Sequence, residues 1–188
     1  MVDVRLLWIA VGFIVVAGCA HTSQRVVDLG AKPQDILHSG HPSATVLIFV
    51  SNDCPIANRY VPELQKLRDH FAPRGAVFWL VHSDPSETVA AIRQHARQYH
   101  LDFPEARDPR HQLANLAKAE VTPTAAVFSR DGKLVYHGRI DDRFVELGRE
   151  RPQATRHDLA DALEAALDNR HVLVSATKAI GCYIPAAQ

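Results

Sequence analysis

The chain has 188 residues, enough for one domain of ordinary size plus a short leader. Apolar residues make up 47% and charged residues 22%, and 21 Lys and Arg balance 21 Asp and Glu. That is the composition of a globular domain without a net field, which excludes nucleic acid as a charge-driven partner. The eleven histidines are scattered and form no HxxxH or His–Cys cluster, so no metal or cofactor motif is read and most are expected at the surface.

Taken in chain order, residues 1–18 read as a leader. Arg5 precedes an apolar run from Leu6 to Gly18. The run is short for about 30 Å of hydrocarbon, which needs about 20 helical residues, and it ends in small residues as at a cleavage site. Val16-Ala17-Gly18-Cys19 resembles the lipobox of bacterial lipoproteins. That resemblance implies an acylated Cys19 and an extracytoplasmic domain held on a membrane without a spanning helix. Residues 19–40, with little periodicity, read as a tether containing a short strand at 25–29.

The domain proper is placed at 41–170. Residues 45–50 (TVLIFV) form a continuous apolar run, as in a central strand buried on both faces. Ser51-Asn52-Asp53-Cys54-Pro55 follows, and then a helix with Val61, Leu64, Leu67 and Phe71 on one face; Pro55 suits the first turn. A second buried strand is predicted at 75–81. A helix at 86–99 turns Val89, Ile92, Ala96 and Tyr99 inward, and a short helix spans 109–119. Strands at 124–129 and 133–139 make a hairpin around Arg130-Asp131-Gly132. A last helix at 155–168 buries Leu159, Ala162, Leu163, Ala166 and Leu167. The remainder, 171–188, is an irregular tail carrying Cys182. This order implies an α/β fold: three layers, α/β/α, around a mixed sheet with a parallel first half and a C-terminal antiparallel hairpin.

Chemistry is expected at Cys54, because a thiol where a buried strand meets a helix N-terminus ionises easily and the thiolate is the nucleophile. Asp53 opposes that ionisation, and Arg59 or Arg139 would offset it if either folded over the site. The block 138–143 (GRIDDR) reads as a solvated loop with local ion pairs, or as a way of bringing Arg139 to the thiolate. With Cys19 lipidated, Cys54 and Cys182 remain as a pair. Three states stay open for them. Cys182 resolves a sulfenate or mixed disulfide on Cys54; a permanent disulfide pins the tail, contributing about 4 kcal/mol on the chain-entropy estimate; or the thiols stay unpaired.

Residues 42–185 resemble the redoxin branch of the thioredoxin superfamily, near the alkyl hydroperoxide reductase and thiol-specific antioxidant group. The resemblance rests on SNDCPIANRYVPEL at 51–64, VTPTAAVF at 121–128, YHGRIDDR at 136–143 and GCYIP at 181–185. It implies a thioredoxin-like fold with Pro123 as a cis proline facing Cys54 and Thr122 offering backbone to a substrate. The chain also departs from its specialist relatives. Ala57 stands where a CxxC dithiol has its second Cys. Leu47 replaces the peroxiredoxin Pro, although Ser51 supplies a hydroxyl where the peroxidatic Thr lies. Asn58 replaces the second Cys of the copper chaperones. The substrate implied is a protein thiol or disulfide, or a peroxide. The alternatives are a noncatalytic binding module with a structural disulfide, or a Cu(I) chaperone using both thiols and a His.

Overall fold

The computed structural model describes residues 25–187 except 39 and 41. The leader at 1–18 and Cys19 lie outside the described residues. In chain order the first elements are β1 (Arg25–Asp28), β2 (Pro33–Asp35), β3 (Ala44–Val50), α1 (Pro55–Phe71), β4 (Ala76–His82), α2 (Val89–Tyr99) and β5 (Glu105–Arg107). They are followed by α3 (Gln112–Ala117), β6 (Val121–Thr122), β7 (Thr124–Ser129), β8 (Leu134–Gly138), β9 (Phe144–Glu146), β10 (Arg149–Glu150), α4 (Asp158–Leu167) and β11 (Cys182–Tyr183).

Seven strands form one mixed sheet in the order β2-β1-β5-β4-β3-β7-β8. β3, β4 and β5 run parallel, and β7 and β8 return antiparallel, as the sequence implies. β3 is central and buried along its whole length. Its side chains alternate. Ala44, Val46, Ile48 and Val50 enter a cluster with Tyr60, Leu64 and Phe71 of α1 and Leu159, Ala162 and Leu163 of α4. Leu47 and Phe49 enter the other, with Leu113, Ala114 and Ala117 of α3. The period of two thus gives a helical layer on each face, and the three-layer thioredoxin-like plan stands.

One expectation is corrected. The stretch 19–40 is not only a tether: β1 and β2 form an antiparallel hairpin, and β1 extends the sheet beside β5. Val26, Ile36 and Leu37 are buried against the second cluster, which draws the segment onto the domain. The tail is largely irregular, as expected, but it is tied to the sheet rather than loose. His137 N–H donates to Ser175 O, and Thr177 N–H donates to His137 O, both at 3.0 Å. The Thr177 hydroxyl accepts from Arg139 N–H at 3.0 Å. The tail therefore runs beside β8 before crossing to β6, where β11 pairs antiparallel. Among the described residues no helix is long and apolar enough to cross a membrane.

Candidate active site

β3 hands the chain to a tight loop at 51–54. Cys54 N–H donates to Ser51 O at 3.1 Å, and Cys54 then becomes the residue that caps the start of α1, with Pro55 in the first turn. A sulfur at this point faces the unpaired N–H groups and positive end of the helix.

Cys54 is 1% exposed. In the thiol form its Sγ–H donates to the carbonyl oxygen of Thr122 at 3.0 Å. The Thr122–Pro123 bond is cis. β6, which carries Thr122, is paired by the chain's own tail, with Cys182 opposite Thr122 and Tyr183 opposite Val121. Ile184 N–H continues this pairing to Glu120 O at 3.0 Å. Gly181 permits the approach, because a Cβ there would overlap the Thr122 carbonyl. The pairing brings Cys182 against Cys54, and both are free thiols.

The two sulfurs have opposite acidities. Burial pushes the Cys54 thiol up, but the groups around the sulfur, the Thr122 side chain, the Ala57 and Cys182 N–H groups and the Cys182 thiol, hold it below the ordinary thiol range. Cys182 is raised to about 11, first by burial and then by its hydrogen bond to Cys54 and the negative charge there. When the pair gives up its first proton the charge is therefore seated on Cys54, with Cys182 still protonated beside it.

Cys54, Thr122, Pro123 and Cys182 therefore come together, while the other sequence candidates turn elsewhere. The Ser51 hydroxyl donates to Glu87 at 3.1 Å. Arg139 Nε donates to Asp158 at 2.7 Å, and Arg59 pairs with Glu150 at 2.6 Å. Each guanidinium is engaged elsewhere, so neither Arg59 nor Arg139 offsets the exposed Asp53. Nor is the 138–143 block solvated. Asp141 is buried and accepts from Tyr60 OH at 2.5 Å, and Asp142, also buried, accepts from Thr155 and Arg156 N–H. Among the described residues, no group of three or more His, Cys, Asp or Glu side chains is arranged to hold a metal ion.

Sequence reading missed a buried polar chain under the loop: Glu105, His82 and Glu87. The available signal was His82 closing an otherwise apolar, buried strand, where an imidazole requires partners. His95 is likewise buried, with Nε2 2.7 Å from Asn58 Oδ1, so two histidines expected at the surface are internal.

The AhpC/TSA family model matches residues 32–137, more than half of the chain. No curated protein matches it in sequence. Among solved structures, a hypothetical protein from Sinorhizobium meliloti 1021 is 27% identical with a TM-score of 0.70, over 85% of this chain and 88% of that one. An uncharacterized conserved protein from Geobacillus kaustophilus is 25% identical with a TM-score of 0.71, over 86% and 87%. A secreted disulfide oxidoreductase of Mycobacterium tuberculosis, described as homologous to Escherichia coli DsbE, shares the fold at 17% identity and a TM-score of 0.53, over 78% and 96%.

Proposed function

This chain belongs to the AhpC/TSA family, and from that premise we propose that it is a thiol redox protein in which Cys54 is the nucleophile and Cys182 the resolving thiol. One observation carries the reading: β11 seats Cys182 opposite Thr122, the residue whose carbonyl the Cys54 thiol meets. In disulfide exchange, the Cys54 thiolate attacks a protein disulfide, forming a mixed disulfide and releasing one substrate thiolate. Cys182 then attacks Cys54 Sγ, closing a Cys54–Cys182 disulfide and releasing the second substrate thiol. An external dithiol reduces the pair and completes the cycle. Cys54 is buried beneath the tail, so β11 has to lift for a protein to reach the sulfur, and a two-residue pairing is a weak tie.

That same burial favours a second reading, peroxide reduction. A small hydroperoxide reaches a covered sulfur more readily than a polypeptide does. The thiolate takes one oxygen to become a sulfenic acid and releases an alcohol or water. Cys182 then condenses with the sulfenic acid, giving the same disulfide and water.

The Val16-Ala17-Gly18-Cys19 sequence supports placing this chemistry outside the cytoplasm, on a membrane through a lipid at Cys19. The test is peptide mass spectrometry of the reduced chain after a pulse of hydrogen peroxide or of a protein disulfide. A Cys54–Cys182 disulfide is expected in the parent, and in Cys182→Ser a trapped sulfenic acid or mixed disulfide on Cys54. Two thiols that stay reduced under both pulses would overturn the reading.

A further inference from the structure

Under the loop that presents Cys54 lie three ionisable side chains with almost no solvent contact: His82 at 0%, Glu87 at 7% and Glu105 at 6% exposure. The imidazole is clamped at both ends, with Nδ1 2.9 Å from Glu87 Oε2 and Nε2 2.9 Å from Glu105 Oε2. The two carboxylates raise the imidazole above its ordinary value, which favours the form that donates through both nitrogens. Such an array is a poor way to stabilise a core, because well-packed apolar residues in place of a buried ion pair are often neutral or better. Its remaining acceptor shows what else it does. Glu87 Oε1 takes the Asn52 N–H at 2.6 Å and the Ser51 hydroxyl at 3.1 Å. Ser51 O in turn accepts the Cys54 N–H.

We propose that Glu87, held in place by His82 and Glu105, is the positioning residue of the nucleophile loop, fixing 51–54 so that the donors around Cys54 converge on its sulfur. This rests on the reading of Cys54 as the nucleophile. The loop is gripped from the other side by neutral groups, since Asn58 Nδ2 donates to Asn52 O at 3.0 Å and Asn58 Oδ1 meets His95 Nε2. Glu87 anchors the loop on the side of the His82 cluster with one carboxylate oxygen that takes two of its donors, Asn52 N–H and the Ser51 hydroxyl. The helix donor, Ala57 N–H, lies one turn beyond that loop, so a loop free to rotate loses the alignment on which the thiolate depends.

The experiment measures the alkylation rate of Cys54 by iodoacetamide against pH in the reduced full chain, with peptide mass spectrometry separating Cys54 from Cys19 and Cys182. Glu87→Ala is expected to slow Cys54 on the order of tenfold at neutral pH, the equivalent of an inflection raised by about one unit. Glu87→Gln keeps an acceptor oxygen on the loop and is expected to stay within about twofold of the parent, with His82 neutral. Glu87→Asp keeps the charge but withdraws it from Asn52 by one methylene, so it should behave like the Ala variant, and it stands in for that variant if Ala does not fold. A merely structural role would lower the unfolding midpoint and leave the pH profile of the folded protein in place. Profiles of the Ala or Asp variant that superimpose on the parent, or a Gln variant as slow as Ala, would overturn the proposal. A parent Cys54 that titrates as an ordinary thiol would instead sink the functional reading beneath it.

Discussion

At the scale of single residues, the site works by dividing one charge unequally between two sulfurs. Cys54 accepts hydrogen bonds as a thiolate, while Cys182 keeps its proton and supplies one of them. A hydrogen bond to a charged group is worth about 1.5–3 kcal/mol, and one unit of pKa is about 1.4 kcal/mol, so losing one donor is expected to raise Cys54 by about one unit. Cys182→Ala removes the S–H and should move the alkylation inflection of Cys54 upward; Cys182→Ser retains an O–H donor and should leave it low. In the parent, Cys54 is expected to react well below the pH at which Cys182, near 11, becomes nucleophilic. Equal inflections for the two thiols, or identical profiles for the Ala and Ser variants, would contradict the shared-charge account. The raised acidity of Cys54 also has a linkage sign. It favours the fold above the unfolded thiol value, and that contribution disappears as pH falls through the folded value.

At the scale of elements, the decisive one is among the shortest. β11 places Cys182 by pairing with two residues of β6, and Gly181 sets how closely it approaches. A methyl group at 181 would meet backbone rather than a movable side chain, so Gly181→Ala is expected to push β11 off β6 at a cost of about 1–2 kcal/mol. Amide exchange should then accelerate at Ile184, whose N–H is bonded to Glu120 O, and oxidative linking of Cys54 to Cys182 should slow severalfold. Unchanged exchange and linking rates would mean that the tail tolerates the methyl. β11 also marks where sequence reading stops. Long periodic elements were legible: α1 buries Val61, Leu64, Leu67 and Phe71, and α4 buries Leu159, Ala162 and Leu163. The elements missed are short ones fixed by distant partners. β5 is Glu105-Ala106-Arg107, with no alternating apolar signal, and it exists because β4 and β1 flank it. β1 was expected as a short strand at 25–29, but inside a tether, since its pairing with β5 and the burial of Val26 depend on residues distant in sequence. At the site, the strand–Cys–Pro step and the Thr-Pro dipeptide were local and readable. The Glu87–His82–Glu105 chain was not, because it joins residues 5 and 23 positions apart whose proximity depends on the sheet.

At the scale of the whole molecule, buried ionisable groups tie the sheet to what surrounds it, and they give stability two pH limits. His82 is lowered by burial but raised further by Glu105 and Glu87, so its folded value lies above the ordinary imidazole. A raised value contributes stability that is fully present below the unfolded value and is lost as pH climbs through the folded one. Asp142, which joins the segment after β8 to the approach to α4, is held below the usual carboxylate range by the Thr155 hydroxyl and, despite burial, by the Arg156 and Thr155 N–H groups. Its contribution is present above the unfolded value and is lost as pH falls through the folded one. Asp108 works against it, since burial outweighs the N–H donors of the α3 start and raises that carboxyl. Urea midpoints are therefore expected to be highest between roughly pH 4 and 6.5, the ordinary values of the two residue types, with a fall on either side. Asp142→Asn should flatten the acid limb and raise no midpoint on the alkaline one. His82→Gln, which never carries the proton, should flatten the alkaline limb at a lower plateau. A midpoint that keeps rising from pH 6 to 8 in the parent would show that the folded protein binds fewer protons there than the unfolded chain, and would overturn the raised value of His82.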